Sequence, residues 1–109
     1  MDCIFCKIVN KELPATIAFE NERLLAIKDI KPAAPIHYLI IPKLHIASIA
    51  HLKGNHRDIL SDLVYTAKDL AEQLSLNGYK LVFNVGREAG QEIDHLHLHL
   101  MGGWDKLAG

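Results

Sequence analysis

Hydrophobic and polar positions divide the chain into short strands and one long helix. Five segments alternate apolar with polar residues or are continuously apolar, and each predicts a β-strand: residues 16–20, 23–29, 37–42, 79–85 and 94–101. Between the third and fourth segments, apolar residues recur at helical spacing from Asn55 to Ser75, with Asn55 as the N-cap and Asn77-Gly78 after the last turn. Residues 4–10 predict a short helix or turn, and residues 45–52 predict a short helix.

The order of these elements predicts an α+β domain. Strands that are adjacent in the sequence have short connections, so the sheet should be mainly antiparallel, with the long helix packed on one of its faces. The leucines of the last strand would then lie beneath that helix. The chain has 109 residues, half of them apolar, and no linker or internal repeat, which favours a single domain over residues 1–109.

Composition narrows the possible partners. The net charge of −1 argues against a protein that coats nucleic acid, because such proteins are usually basic. The longest apolar runs, such as YLII, are too short to cross a bilayer. The first eleven residues, MDCIFCKIVNK, contain an early acid and no continuous apolar region, unlike a signal peptide. We therefore expect a cytoplasmic protein with reduced thiols and neither nucleic acid nor membrane as a partner.

Three histidines alternate with leucines in the segment DHLHLHLMGG, residues 94–103. Alternation is the period of a strand, so His95, His97 and His99 should share one face. That face could be solvated, bind a metal ion or catalyse a reaction. The three side chains span roughly 13 Å of strand, so they cannot all reach one ion without a bend. A neutral imidazole can instead act as a nucleophile when a hydrogen bond holds its other nitrogen as N–H. The preceding loop GREAGQE (86–92) would direct backbone N–H groups and Gln91 toward an anion.

The chain resembles the histidine triad (HIT) superfamily. HLHLHLM matches the family motif, and two further blocks resemble the family's central and C-terminal parts: DIKPAAPIHYLIIPKLHI (29–46), and GYKLVFNVG with GQEIDHLHLHLMGG. The resemblance runs from about residue 2 to residue 103 and is closest to the bacterial form of the nucleotide-binding Hint branch. It implies a HIT-like fold, with a mainly antiparallel five-stranded sheet, one long helix and one or two short ones. It also implies a homodimer that binds a purine nucleotide such as AMP or GMP and hydrolyses nucleoside phosphoramidates at the α-phosphorus.

The resemblance also implies roles for individual residues. His97 would be the nucleophile that forms a nucleotidyl-histidine intermediate, and His99 would hydrogen-bond the phosphate or the bridging atom. The backbone carbonyl of His95 would select the tautomer of His97, and His37 would take part in proton transfer. Asp29 would accept both ribose hydroxyls, although by itself it could simply cap a turn.

Further positions would contact the phosphate and the base. Asn84 and Gln91 would contact the phosphate, although Asn84 could be an ordinary polar residue at a strand end. An apolar clamp on the base would comprise Ile4, Phe5, Ile8, Ile27 and Ile30. The first three of these are also spaced as plain helical core residues.

Three positions depart from the family pattern. Glu92, one of the expected nucleotide-binding residues, stands near the leaving group where animal members often have a small hydroxyl residue, and Asp94 stands where an aromatic residue is common. Such acids would favour cationic amines as leaving groups or lower the rate. Ile27 replaces an aromatic residue that often covers the base, which predicts looser purine selectivity. The tail after Gly103 is short compared with family tails that reach the partner subunit's active site.

The only two cysteines, Cys3 and Cys6, are spaced C-x-x-C. The βαβ setting of a thioredoxin-like redox motif is absent, and a structural zinc site needs two more ligands. Some bacterial HIT proteins and the related galactose-1-phosphate uridylyltransferases supply two histidines, which correspond here to His45 and His95. The resemblance thus implies one structural Zn²⁺ per subunit on these four residues, and no organic cofactor. The alternative is two buried free thiols that pack as small hydrophobic groups.

Two other functions stay open beside the phosphoramidase. One is hydrolysis of dinucleoside polyphosphates. The other is a nucleotide-binding adaptor or regulatory dimer in which slow hydrolysis is incidental. Transfer of the nucleotide to another phosphate fits less well, since relatives with that activity carry a Gln after the second triad histidine, and Leu98-His99 stands here.

Overall fold

A five-stranded antiparallel sheet forms the centre of the computed structural model, which describes residues 3–104. The strands are β1 (Ile17–Glu20), β2 (Leu24–Lys28), β3 (Ile36–Pro42), β4 (Tyr79–Val82) and β5 (Leu98–Gly102). Their order across the sheet is β1-β2-β3-β5-β4, and every neighbouring pair is antiparallel. The predicted α+β class is confirmed. The order places β5, with the last triad histidine, between β3 and β4.

The long helix α2 (Arg57–Gln73) covers one face of the sheet. Its inward positions, Leu63, Ala67, Leu70 and Ala71, pack on the apolar side chains of the strands. The leucines of the histidine segment belong to this core, since Leu96, Leu98 and Leu100 are almost completely buried. The prediction that these leucines lie beneath the helix is therefore confirmed.

The short helix α1 (Ile4–Val9) packs on the opposite face. It begins after Cys3, whose thiolate or thiol sulfur accepts a hydrogen bond from the backbone N–H of Cys6. A second core forms there from Cys3, Phe5, Ile8, Leu25, Ile27, Leu39 and Ile41. Residues directly opposite in a ladder share a face, and Leu39 is opposite His99. The histidines therefore lie on the face that α1 partly covers.

The histidine strand and the helix expected over residues 45–52 both differ from prediction. Strand β5 begins only at Leu98, so His95 and His97 precede it in irregular backbone, where the predicted strand started at residue 94. The predicted helix over residues 45–52 is wrong, because only a 3₁₀ turn at Ile49–His51 forms. The physical reason is that the carbonyl of Ile46, which a helix would use internally, accepts from the backbone N–H of Leu96.

The ends of the long helix also differ from prediction. A 3₁₀ turn at Gly54–His56 precedes α2, so His56 and not Asn55 is the N-cap residue. At the other end the helix stops at Gln73, and Ser75 takes a left-handed conformation with φ 58°. The chain thus leaves the helix before Asn77-Gly78. Strand β4 is likewise shorter than predicted and ends at Val82.

The assignment of one domain to residues 1–109 stays a prediction, because its first two and last five positions lie outside the described residues. Most of the short C-terminal tail falls there too. Within residues 3–104, neither α-helix has the length and apolar character that crossing a bilayer requires.

Candidate active site

His97 is held in a single orientation beside the sheet. Its Nδ1–H donates to the backbone carbonyl of His95 over 2.7 Å, so the lone pair of the neutral ring is on Nε2. The ring of Phe5 meets it edge-on, with centroids 5.3 Å apart. Only 8% of His97 is exposed. This is the arrangement that an imidazole nucleophile needs: one nitrogen tied as N–H and the other free to attack.

His99, His37 and Asp29 form a second group next to His97. His37 Nε2 lies 2.9 Å from His99 Nδ1 and 3.4 Å from a carboxylate oxygen of Asp29. The ring centroids of His97 and His99 are 5.0 Å apart. Among the buried side-chain polar atoms of residues 3–104, His99 Nε2 stands alone in having no hydrogen-bond partner.

Burial favours the neutral form of both imidazoles in this group. It lowers the pKa of His99 to about 4, helped by the neighbouring His97 and His37 and opposed by Asp29. Burial also lowers the pKa of His37, again against the attraction of Asp29. Both imidazoles are therefore uncharged near neutral pH, and each carries one N–H and one lone pair.

A cluster of four possible metal ligands lies on the other side of His97. The ligand atoms of Cys3, Cys6, His45 and His95 are all within 4.8 Å of one another. His95 Nδ1 is 3.3 Å from Cys3 Sγ, 3.6 Å from Cys6 Sγ and 3.1 Å from His45 Nδ1. Ligand atoms around a tetrahedral zinc lie roughly 3.3–3.8 Å apart, given Zn–S and Zn–N lengths near 2.3 and 2.0 Å.

The protonation of this cluster also suits a cation. His95 is fully buried, and its Nε2–H donates to the carbonyl of Pro42 over 2.8 Å, which leaves the Nδ1 lone pair facing the cluster. Burial lowers the pKa of His95 to about 4, so it is neutral. Burial and the Cys3 thiol raise the pKa of the Cys6 thiol, and a divalent cation would offset that effect. The four residues thus fit a closed zinc site.

The loop between β4 and the histidines is held by Gln91, which corrects the expected role of that residue. Its Nε2 donates to the carbonyls of Ala47 and Ile93, over 2.7 and 2.9 Å, and its Oε1 accepts from the backbone N–H of Gly86 over 2.9 Å. With 3% of the residue exposed and both amide hydrogens used, Gln91 organises the loop and has no hydrogen left for a phosphate.

The two acids before the triad, Glu92 and Asp94, line an open groove of about 420 Å³ beside the cysteine cluster. Asp94 pairs with Arg87 over 2.9 Å, and another guanidinium nitrogen of Arg87 donates to the backbone carbonyl of Glu92. Both acids are exposed. Arg87 thus compensates the charge of Asp94, while the carboxylate of Glu92 faces solvent at the groove.

The residues expected to clamp the base divide into two sets. Phe5, Ile8 and Ile27 are buried in the core on the α1 face, which is the alternative left open for the first two. Ile4 is partly exposed, and Ile30 is 88% exposed on the loop after β2. The structure therefore does not bring the five together as one surface patch.

Asp29 and Asn84 are the other two polar residues expected to contact the nucleotide. Asp29 accepts the backbone N–H of Lys31 at Oδ1 over 2.8 Å, so it does cap a turn, and its remaining lone pairs are available to a ligand. Asn84 follows β4 and is half-buried.

Sequence reasoning missed two backbone groups, the Pro42 carbonyl and the Ala33 N–H. No side-chain signal could have revealed them, since every residue type carries the same backbone.

Comparison with known proteins agrees with this geometry. A family model described as "Scavenger mRNA decapping enzyme C-term binding" matches residues 2–106. The solved structure of a HIT family hydrolase from Clostridium thermocellum superposes with a TM-score of 0.92 at 50% identity, covering 96% of this chain and 93% of that one.

Two curated relatives have informative names. A "14 kDa zinc-binding protein" of Brassica juncea is 42% identical over 94% of this chain and 93% of its own length. The "Adenylylsulfatase HINT1" of Arabidopsis thaliana is 43% identical over 92% of this chain and 70% of its own. Matches of this extent, with the histidine segment, the fold and the sheet order all in agreement, show that the chain belongs to the histidine triad (HIT) family.

Proposed function

We propose that this protein is a nucleotide hydrolase that cleaves nucleoside phosphoramidates at the α-phosphorus, with His97 as the nucleophile. One observation carries the proposal. His97 has its Nδ1–H tied to the His95 carbonyl and a free lone pair on Nε2, next to His99 Nε2, which has no partner in the described part of the chain. The names of two relatives, a HIT family hydrolase and an adenylylsulfatase, support hydrolysis of a nucleotide substrate.

In the first step the Nε2 lone pair of His97 forms a bond to phosphorus, and the bond from phosphorus to the leaving nitrogen breaks. The leaving nitrogen keeps the electron pair and takes up one proton. His99 Nε2–H is placed to hydrogen-bond that atom or a phosphoryl oxygen as charge develops on it. The imidazolium formed at His97 is stabilised at Nδ1–H by the His95 carbonyl.

In the second step water attacks phosphorus and the bond to His97 breaks, returning the electron pair to Nε2. Across both steps one water supplies the hydroxyl on phosphorus and the proton on the amine, so the products are the nucleoside monophosphate and a neutral amine. His99 would give its Nε2 proton to the leaving nitrogen in the first step and regain one from the attacking water in the second, while His37 Nε2–H, 2.9 Å away, holds His99 in place at Nδ1.

The nucleotide itself would be bound by the residues around this pair. Asp29 is proposed to accept the ribose hydroxyls with the lone pairs that Lys31 leaves free, and Asn84 and the loop N–H groups to contact the phosphate. Glu92 is proposed to lie toward the leaving group, where its unpaired charge would favour cationic amines. A purine of the AMP or GMP type would lie against the exposed Ile4 and Ile30.

We also propose one structural Zn²⁺ per subunit, held by Cys3, Cys6, His45 and His95. The name of the Brassica juncea relative supports zinc as the metal. With four protein ligands the ion would supply cross-linking and no reactive position. The carbonyl of His95 is the acceptor for His97, so ligation of the His95 ring would also stabilise the nucleophile's tautomer.

A homodimer is proposed from the edge of the sheet. Strand β4 is an edge strand with large apolar side chains exposed at Tyr79 and Leu81, and Val85 follows it. Pairing of two such edges around a twofold axis would cover both the free backbone groups and these side chains. Sedimentation equilibrium should give twice the mass of the chain, and Leu81→Lys should give the monomer mass.

The location proposed for the protein is the cytoplasm. Cys3 and Cys6 are free cysteines. Reduced thiols and thiolate metal sites persist in reducing compartments such as the cytoplasm.

The function is tested with adenosine 5′-phosphoramidate, by measuring AMP release from wild type and from His97→Ala. We expect turnover in the wild type and a loss of roughly 10³-fold or more in the variant, because no other lone pair replaces Nε2. AMP binding and thermal unfolding of the variant serve as controls. Equal rates would refute the nucleophile, and tight AMP binding without turnover in either protein would favour the adaptor. Diadenosine tetraphosphate as a parallel substrate tests the polyphosphate alternative.

A further inference from the structure

Both ring nitrogens of His37 have neighbours that determine where its hydrogen is. Nδ1 lies 3.0 Å from the backbone nitrogen of Ala33, and Nε2 lies 2.9 Å from Nδ1 of His99. A backbone N–H can only donate, so Nδ1 of His37 must accept. The neutral ring therefore carries its hydrogen on Nε2.

That hydrogen determines the state of His99 in turn. It points to His99 Nδ1, which then accepts, so that neutral His99 has its own hydrogen on Nε2. This Nε2–H is buried and has no acceptor within residues 3–104. Leaving a buried donor unpaired is unfavourable, and a substrate oxygen or nitrogen in that place would relieve it.

We propose that the backbone N–H of Ala33 is a positioning group of the active site: by holding His37 as its Nε2–H tautomer, it makes His99 present Nε2–H to the phosphoryl oxygen or leaving atom of the substrate. The inference deepens the proposed function and rests on it for the identity of the acceptor. The chain of hydrogen bonds runs in one direction, from Ala33 to His37 to His99.

The loop that carries Ala33 also carries the proposed ribose ligand. Asp29 begins this loop, with its backbone N–H donating to the His37 carbonyl over 3.0 Å and its Oδ1 accepting from Lys31. One short segment, residues 29–35, therefore positions both the nucleotide and the hydrogen of His99.

The same assignment argues against a metal ion between Asp29, His37 and His99, although their ligand atoms lie within 4.8 Å of one another. With its hydrogen on Nε2, His37 has no lone pair on that side for a cation. The group is therefore better suited to donating a hydrogen bond than to holding a metal.

The first test reads the tautomers directly in the full-length wild-type protein. Long-range ¹H–¹⁵N correlation spectra of histidine-labelled protein distinguish Nδ1–H from Nε2–H rings. We expect the Nε2–H form for both His37 and His99. The Nδ1–H form of His37 would overturn the proposal, whether or not the protein hydrolyses phosphoramidates.

The second test removes the N–H itself with Ala33→Pro, since proline has no backbone hydrogen. Two matched controls keep that N–H: Ala33→Gly, and Ala34→Pro, which places the same ring one residue later. Ala34 N–H makes no hydrogen bond within the described part of the chain. We expect Ala33→Pro to lower kcat roughly 3- to 10-fold and to give a mixture of His37 tautomers, with the controls near wild type.

The outcomes separate this inference from the proposed function. A normal kcat and normal tautomers in Ala33→Pro would overturn the role of the N–H, and an equal loss in Ala34→Pro would assign the effect to loop conformation instead. If Ala33→Pro does not fold, the wild-type spectra decide. If the wild type has the expected tautomers but does not hydrolyse phosphoramidates, the proposed substrate is wrong and the tautomer relay stands.

Discussion

Two histidines flank His97, and their surroundings differ although burial lowers the pKa of both to about 4. His95 has both ring nitrogens engaged, Nε2 with the Pro42 carbonyl and Nδ1 with the cysteine cluster. His99 has one nitrogen engaged with His37, and the other is buried without a partner among residues 3–104. Burial determines that both are neutral, but the hydrogen-bond partners determine their use. A histidine with no free position is suited to structure, and one with a free N–H is suited to chemistry.

The largest expected effect is on the His95 side. Removing the proposed zinc with a chelator, or changing Cys6→Ser, should lower the unfolding temperature by about 10 °C or more, because the proposed ligation that joins α1 to the histidine segment would be lost. The zinc content measured by metal analysis should fall from one ion per chain toward zero. His99→Ala serves as the contrasting variant and should retain zinc. If the zinc-free protein were as stable as the zinc-bound protein, His95 would have no structural role to set it apart from His99.

On the His99 side the expected loss is in rate. His99→Ala should lower kcat on adenosine 5′-phosphoramidate roughly 10²- to 10³-fold, since the donor to the developing charge is removed. His99→Gln, which keeps an amide N–H, should recover part of the rate. Zinc content and unfolding temperature should stay close to wild type. A fall in stability with no fall in kcat would assign His99 to structure.

The pH dependence of stability tests the buried state of His99. Its folded pKa, about 4, is below the ordinary value of 6.5, so the unfolded chain binds more protons between these values. The contribution of the neutral His99 ring to the free energy of unfolding is complete above pH 6.5 and is lost as the pH falls toward 4. The loss should reach about 3 kcal/mol in the free energy of urea unfolding. The free energy of unfolding should depend less steeply on pH in His99→Gln than in the wild type. Identical slopes would contradict burial as the cause of the lowered pKa of His99.

The smallest effect is expected at Ile30, on the loop that leads to His37. Ile30 is 88% exposed, so Ile30→Ser should leave stability unchanged and raise KM only a few-fold if the base lies on this side chain. Ile27→Ala is the matched core variant and should lose roughly 2–4 kcal/mol of stability. Unchanged KM for both AMP and GMP amidates would remove Ile30 from the base site.

Much of the fold followed from local patterns. The alternation of leucine and histidine predicted two faces for the last strand, and the helical period predicted α2. The ends of elements were less predictable, because tertiary hydrogen bonds competed for the same backbone groups. The Ile46 carbonyl bonds to Leu96 and not to a helical neighbour, which is why residues 45–48 are not helical. The phosphate contact expected of Gln91 could not be judged from residue type, because the hydrogen bonds that consume its amide go to backbone groups of the loop.

Residue types and spacing alone determined which chemical groups this protein brings together: three imidazoles on one sheet face, two thiols on one helical turn, and an acid before a proline-rich loop. Only the folded structure showed which nitrogens of His95 and His37 carry the hydrogen. That choice depends on the Pro42 carbonyl, which comes from a distant strand, and on the Ala33 N–H, which a local turn of the chain directs at His37. The physical reason is that these partners are backbone atoms, which are the same in every residue and acquire direction only when the chain folds.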